Sequence, residues 1–235
     1  MSNSLKISNL NKNFGSIAAV KNLSFSAKHG SVIALLGPNG AGKSTLMNMI
    51  SGYLAPDSGE IEIMGKNISS AATECKSAIG FLPEGSPLYP DMSVKQFLKY
   101  IAELKGVNSA RLNQVIELAQ ISNVISQKNE TLSKGYRRRV GFAAAILSDA
   151  PILLLDEPTD GLDPNQKEHI QKLIRQMGKE KTILISTHLL DEAETIADRI
   201  IIMAKGQIKA DGTLTAICRQ ADAVDLAEAF KKYTL

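Results

Sequence analysis

A glycine-rich loop set between an apolar run and a helical pattern constrains this chain more than any other feature. Ser31–Leu36 is short and apolar, reads as a buried strand, and ends at Gly37. Gly37, Pro38, Asn39, Gly40, Ala41, Gly42, Lys43, Ser44 and Thr45 follow, a full match to the spacing G-x-x-x-x-G-K-[ST]. Thr45, Leu46 and Met47 then open a helix. The glycines let the backbone wind tightly enough for successive N–H groups to face phosphate oxygens, and the helix N-terminus adds its positive end. Lys43 is expected to reach the β- and γ-phosphates, and the Ser44 hydroxyl to hold Mg²⁺. A chain built around this loop binds a nucleoside triphosphate.

A second feature completes the chemistry. Ile152–Leu155 is an apolar strand that delivers two adjacent acids, Asp156 and Glu157, at its end. A buried strand fixes where its end lies, so these acids can face the crevice beside the phosphate loop. Asp156 is expected to order Mg²⁺ through its water shell, and Glu157 to polarise an attacking water as general base.

The rest of the chain reads as an α/β core with helices inserted. Residues 1–66 look like a mixed sheet interrupted by one helix that starts near Gly42. Ser93 with Gln96 makes a capping box. Val94, Phe97, Leu98 and Ile101 then follow at helical spacing. Further helices are expected over Ala110–Ala119 and Ser133–Leu147, which makes 85–148 a helical insertion. Asp163 and Pro164 are a good N-cap and first residue for a helix ending at Gly178. Thr182–Ile185 reads as a strand and Leu190–Arg199 as a helix. Ile200–Ala204 and Gln207–Ala210 form a hairpin about Lys205 and Gly206, and a last helix spans 222–233.

Composition narrows the class. Of 235 residues, 44% are hydrophobic and 22% charged, which excludes disorder as the main state. No apolar run approaches the ~18 residues of a membrane span. The opening residues lack the apolar core of a secretory leader. Two cysteines, Cys75 and Cys218, are too few for a disulfide framework, so a reducing compartment is expected. A net charge of +3 without a long basic tract gives no case for a nucleic-acid partner.

Together the motifs resemble the ATP-binding cassette (ABC) ATPases. The phosphate loop, Leu132–Tyr136, Leu155–Pro158, Gly161–Pro164 and Ser186–His188 occur in that family's order. The likeness runs from about Leu5 to Thr213. Leu82–Glu84, Pro87–Tyr89 and Ser133–Arg137 look closest to stand-alone ATPase subunits of ABC-2-type exporters of the gliding-motility and multidrug kind. The resemblance implies one P-loop NTPase domain over 1–235. Its α/β core, about 1–84 and 149–220, is a mixed sheet with an N-terminal antiparallel β part. The helical subdomain spans about 85–148.

The resemblance also implies roles. Two subunits, as a homodimer or with a different ATPase, close head to tail over two ATP molecules. Ser133 and Gly135 then contact the γ-phosphate held by the partner's loop, and Asp163 lies across the interface. Ser133 and Asp163 equally suit ordinary helix caps. His188 hydrogen-bonds the γ-phosphate near the attacking water. Phe14 matches the aromatic that stacks on adenine, at a place that also suits a core phenylalanine. The membrane-spanning permease is a separate chain, and the ATPase sits in the cytoplasm against the inner face of the membrane through it. A groove near Glu84–Asp91 receives a short permease helix, with Leu88 and Tyr89 as apolar contacts or as a buried loop anchor.

Three departures stand out. Glu84 occupies a place where many members carry a glutamine that links Mg²⁺ and water, and a carboxylate can still ligate the metal. Lys134 and Tyr136 replace residues of the commoner Ser-Gly-Gly-Gln signature, with Lys134 read as facing solvent rather than the partner's ATP. Arg138 stands where glutamine often follows the signature, and Arg137–Arg139 read as a solvated helix face. The leading expectation is an ATP-hydrolysing transporter motor. The competing one is a soluble ATP-gated switch with little hydrolysis.

Overall fold

The computed structural model describes residues 3–235, so the first two residues of the opening segment lie outside it. Strands β1 (Asn3–Phe14), β2 (Ile17–Lys28), β4 (Ser58–Ile63) and β5 (Lys66–Asn67) form an antiparallel sheet in the order β2-β1-β4-β5. Strands β3 (Ser31–Leu36), β6 (Ile79–Leu82), β7 (Ile152–Asp156), β8 (Thr182–Thr187), β9 (Arg199–Ala204) and β10 (Gln207–Gly212) form a second sheet, ordered β10-β9-β3-β8-β7-β6. Five of these strands are parallel, and only β10 runs antiparallel, in a hairpin with β9. Residues 1–66 therefore do not form one mixed sheet. β3 leaves its sequence neighbours and pairs with β8 and β9 instead.

The helices are α1 (Lys43–Ile50), α2 (Ala72–Ser77), α3 (Val94–Leu104), α4 (Ser109–Leu118), α5 (Lys134–Ile146), α6 (Pro164–Met177), α7 (Leu190–Ile196), α8 (Leu214–Gln220) and α9 (Leu226–Thr234). The capping box of Ser93 and Gln96 is formed in full at α3. α7 ends at Ile196, earlier than expected, because Arg199 already belongs to β9. The last helix starts at Leu226 on an Asp225 cap, four residues later than the expected 222–233 helix. α2, β6 and α8 were not anticipated.

The central strands read as continuous apolar runs because both faces of the second sheet are covered. Alternate residues point to opposite cores. On β3, Val32, Ala34 and Leu36 join the core under helices α3–α9, while Ile33 and Leu35 join the core shared with α1 and the antiparallel sheet. β7 divides likewise, Leu153 and Leu155 against Ile152 and Leu154. Parallel pairing in register brings the carboxyl ends of β3, β6, β7 and β8 to one edge. Ligands bind at that edge in open α/β sheets.

Candidate active site

The phosphate loop leaves β3 at that edge. Gly40 and Gly42 lie in the left-handed region, at φ +79° and +100°. A Cβ on Gly42 would also sit 2.3 Å from the Ala19 carbonyl oxygen, so only glycine fits there. The turn of the β9–β10 hairpin supports the loop, the Gly206 N–H donating to the Ala41 carbonyl at 3.2 Å.

Lys43 is the first residue of α1, and its side chain is buried back across the loop. Its Nζ donates to the carbonyls of Gly37, at 2.6 Å, and Pro38, at 3.2 Å. Burial pulls its pKa below the usual lysine value, against the opposing pull of the charges on Glu157, Asp156 and Glu84. A cavity of about 270 Å³ is lined by residues 39–45 together with Glu84 and Glu157. Glu84 reaches it from the segment after β6, and Glu157 from the end of β7.

Register places Asp156 opposite Ser186. Asp156 is buried and accepts a hydrogen bond from Ser186 Oγ. Glu157 adopts φ +51°, unusual for a residue with a side chain. Its N–H donates to the Ser186 carbonyl at 3.0 Å. Its carboxylate lies 3.0 Å from Nδ1 of His188, which follows β8 and is half-exposed. The same edge thus gathers Lys43, Ser44, Glu84, Asp156, Glu157 and His188.

Other expected site residues lie elsewhere in the subunit. Ser133 caps α5, accepting the Tyr136 N–H at 3.3 Å, and Asp163 caps α6, accepting the Gln166 N–H at 2.9 Å. Gly135 is buried where a Cβ would meet the Gly161 carbonyl oxygen at 2.9 Å. Phe14 ends β1 half-exposed, with Lys12 Nζ 5.7 Å from its ring centre. None of the four lines the phosphate-loop cavity.

The arginine run is not a solvated face. Arg137 is exposed, but Arg138 and Arg139 are buried. Arg138 donates from Nε and Nη2 to the Glu157 carbonyl, at 2.9 and 2.5 Å. From Nη1 it donates to the Pro83 carbonyl and to Ser86 Oγ, at 2.9 and 2.8 Å. Burial lowers its pKa, opposed by the charges of Asp156, Asp160, Glu157 and Glu84. Arg139 donates to the Gln120 carbonyl at 2.7 Å and lies over the Tyr136 ring, 4.3 Å from its centre. Lys134 does face solvent, in an ion pair with Asp160 at 2.8 Å.

Two further polar groups support the site. Ser186 holds both Asp156 and the Glu157 backbone, and Glu192, fully buried, accepts the Thr159 hydroxyl at 2.8 Å. Burial raises the Glu192 pKa, and its second oxygen has no hydrogen-bond partner among the described residues.

The oxygen donors at the loop suit Mg²⁺. Ser44, Asp156 and Glu84 offer a hydroxyl and carboxylates, the hard ligands this ion takes. No cluster of three or more His, Cys, Asp or Glu forms a cage among the described residues. No helix among the described residues is long and apolar enough to cross a membrane.

Comparison with known proteins agrees with this geometry. The family model described as ABC transporter matches residues 20–160. The chain is 36% identical to the linearmycin resistance ATP-binding protein LnrL of Bacillus subtilis, over 91% of this chain and 70% of that one. It is 35% identical to the Nod factor export ATP-binding protein I of Burkholderia orbicola, over 94% and 75%. Among solved structures, an ATP-binding subunit of an ABC transporter superposes with a TM-score of 0.90 at 28% identity, covering 97% of this chain and 98% of that one. The dimeric cassette MJ0796, in a post-hydrolysis state with ADP and Pi, superposes with a TM-score of 0.82 at 28% identity, covering 89% and 98%. The chain belongs to the ABC transporter ATP-binding proteins, the ATPase subunits that power membrane transporters.

Proposed function

We propose that this ATPase drives an ABC-2-type exporter whose membrane permease is a separate chain, and that two copies close head to tail over two ATP molecules. The observation that carries the hydrolytic part is the single cavity that brings the phosphate loop, Glu84 and Glu157 together. The loop amides and Lys43 bind the β- and γ-phosphates. Ser44, Asp156 and Glu84 would hold Mg²⁺, which on binding neutralises charge that develops on the phosphate oxygens. Glu157 takes the proton of the attacking water, and His188 holds the Glu157 carboxylate in place and reaches toward the γ-phosphate.

Ser133 and Asp163 are exposed and do not line their own subunit's cavity, which supports their meeting the nucleotide of a second copy. Gly135 supplies the first turn of α5 to the same contact, and Phe14 supplies the adenine platform. Residues 85–148 form the helical subdomain against a core of 1–84 and 149–220.

A groove of about 720 Å³, with Tyr53, Phe81, Leu88, Tyr89 and Ile101 among its walls, is the seat for the permease helix. It lies beside the loop that carries Glu84, so docking and chemistry share one segment. The subunit then sits on the inner face of the cytoplasmic membrane. Relatives named for Nod factor export and for linearmycin resistance support the exporter class.

The test is phosphate release with Mg²⁺ and with a chelator, for the wild type and for Glu157→Gln. Glu157→Gln should bind ATP as the wild type does and lose about 10²- to 10⁴-fold in kcat. Undiminished hydrolysis in that variant removes Glu157 from its role. Wild-type ATP binding without phosphate release turns the reading to a nucleotide-gated switch. A multi-spanning protein co-eluting with the tagged chain from native membranes in mild detergent establishes the permease.

A further inference from the structure

We infer that Arg138 is a positioning residue of the hydrolytic centre, a bridge that fixes the main chain of Glu157 to the Pro83–Ser86 segment. The inference rests on Glu157 being the base. The guanidinium is buried and uses both of its sides. One side donates twice to the Glu157 carbonyl, the other to the Pro83 carbonyl and to Ser86 Oγ. Each joined segment is held in an uncommon conformation, for Glu157 has φ +51° and Ser86 φ +44°. Backbone of that kind persists only where its surroundings over-determine it.

At Glu157 the surroundings are complete on two sides. The N–H is taken by the Ser186 carbonyl, and the C=O by Arg138 and, within its own turn, by the Asp160 N–H at 3.1 Å. The direction in which the side chain leaves the backbone is therefore set by β8 from one side and by the turn to Asp160 together with α5 from the other, and Arg138 is the contact that ties it to a distant segment. At the far end of the bridge, Ser86 packs against Gly141 of α5, where a Cβ would come within 2.9 Å of it. Pro83 and Ser86 also line the proposed permease groove, and Glu84 between them lines the phosphate-loop cavity. A displacement of that segment thus reaches the Glu157 backbone through one side chain.

The shape of the group matters more than its charge. A planar fork can satisfy acceptors on opposite sides, whereas a lysine ammonium places all its donors at one point. Arg138→Met removes every donor, and should lower kcat about ten- to hundredfold with the KM for ATP changed little. Arg138→Gln keeps a planar amide and should recover part of the loss. Arg138→Lys keeps the charge and should recover less than the glutamine variant. Ser86→Ala removes a single anchor, and its smaller loss should vanish in a chain that already carries Arg138→Met.

Amide hydrogen exchange supplies the readout that a merely structural role would not move. In Arg138→Gln, exchange should rise together at 84–86 and at Glu157 and Thr159, with Val140–Ile146 of α5 unchanged. Wild-type kcat in Arg138→Lys overturns the bridge in favour of charge alone. Faster exchange along all of α5, or wild-type turnover in every Arg138 variant, overturns it outright. If Arg138→Met does not fold, the glutamine, lysine and Ser86 variants carry the same decision. Full turnover in Glu157→Gln would overturn the base assignment instead, and the exchange pattern would still decide the bridge.

Discussion

Glu192 shows how a single buried carboxyl sets a pH response. It is fully buried, holds the Thr159 hydroxyl with one oxygen, and has its pKa raised by burial. Between the ordinary value of 4.5 and its folded pKa, the folded chain keeps a proton that the unfolded chain has released. Its contribution to stability is therefore full below pH 4.5 and is lost as pH rises through the folded pKa. Glu192→Gln should remove that decline, so the difference in unfolding midpoint between variant and wild type should grow with pH. A difference constant from acid to neutral pH refutes this role. Residues of this kind were illegible in the sequence. Lys43, Asp156 and Glu157 are legible because each sits at a recognisable local spacing. Three arginines in a row look solvated, and only the carbonyls of Glu157 and Pro83, far away in sequence, make Arg138 an interior residue.

Elements that carry their own boundary signals were readable, and those defined by their neighbours were not. α3 and α6 start on Ser93 and Asp163, both of which form the expected caps. α2 buries only Cys75, and β6 is four residues long with a glycine inside it, so neither offers a period to count. The glycine itself explains how β6 sits. A Cβ on Gly80 would lie 2.1 Å from the Ala145 carbonyl oxygen of α5. Gly80→Ala should force α5 away from β6 and cost about 1–3 kcal/mol. The displacement would also move the Pro83–Ser86 segment, so kcat should fall along with the urea midpoint. Unchanged stability would mean that α5 approaches β6 less closely than these positions imply.

For the whole molecule, the proposed assembly predicts a change of mass. Glu157→Gln should become a dimer with ATP and Mg²⁺ and stay a monomer with ADP, as read by analytical ultracentrifugation. A monomer under both conditions would remove the head-to-tail closure. The α/β class was legible from alternating strands and helices and the separate antiparallel part from the family resemblance, but the pairing of β3 with β8 and β9 was not, because it depends on strands across most of the chain. β3 is flanked by β8 and β9, and the Gly206 N–H supports the loop at Ala41. That strand order has a consequence for synthesis. The ribosome makes the nucleotide-binding loop early and the strands that frame it late. At roughly 5–20 residues per second, about 8 to 32 seconds separate the two events. Until β8 is made, Val32–Leu36 has neither of the strands that flank it in the folded sheet. A ligand stabilises only the state that binds it, so nucleotide can steady this protein only once β8 and β9 stand on either side of β3.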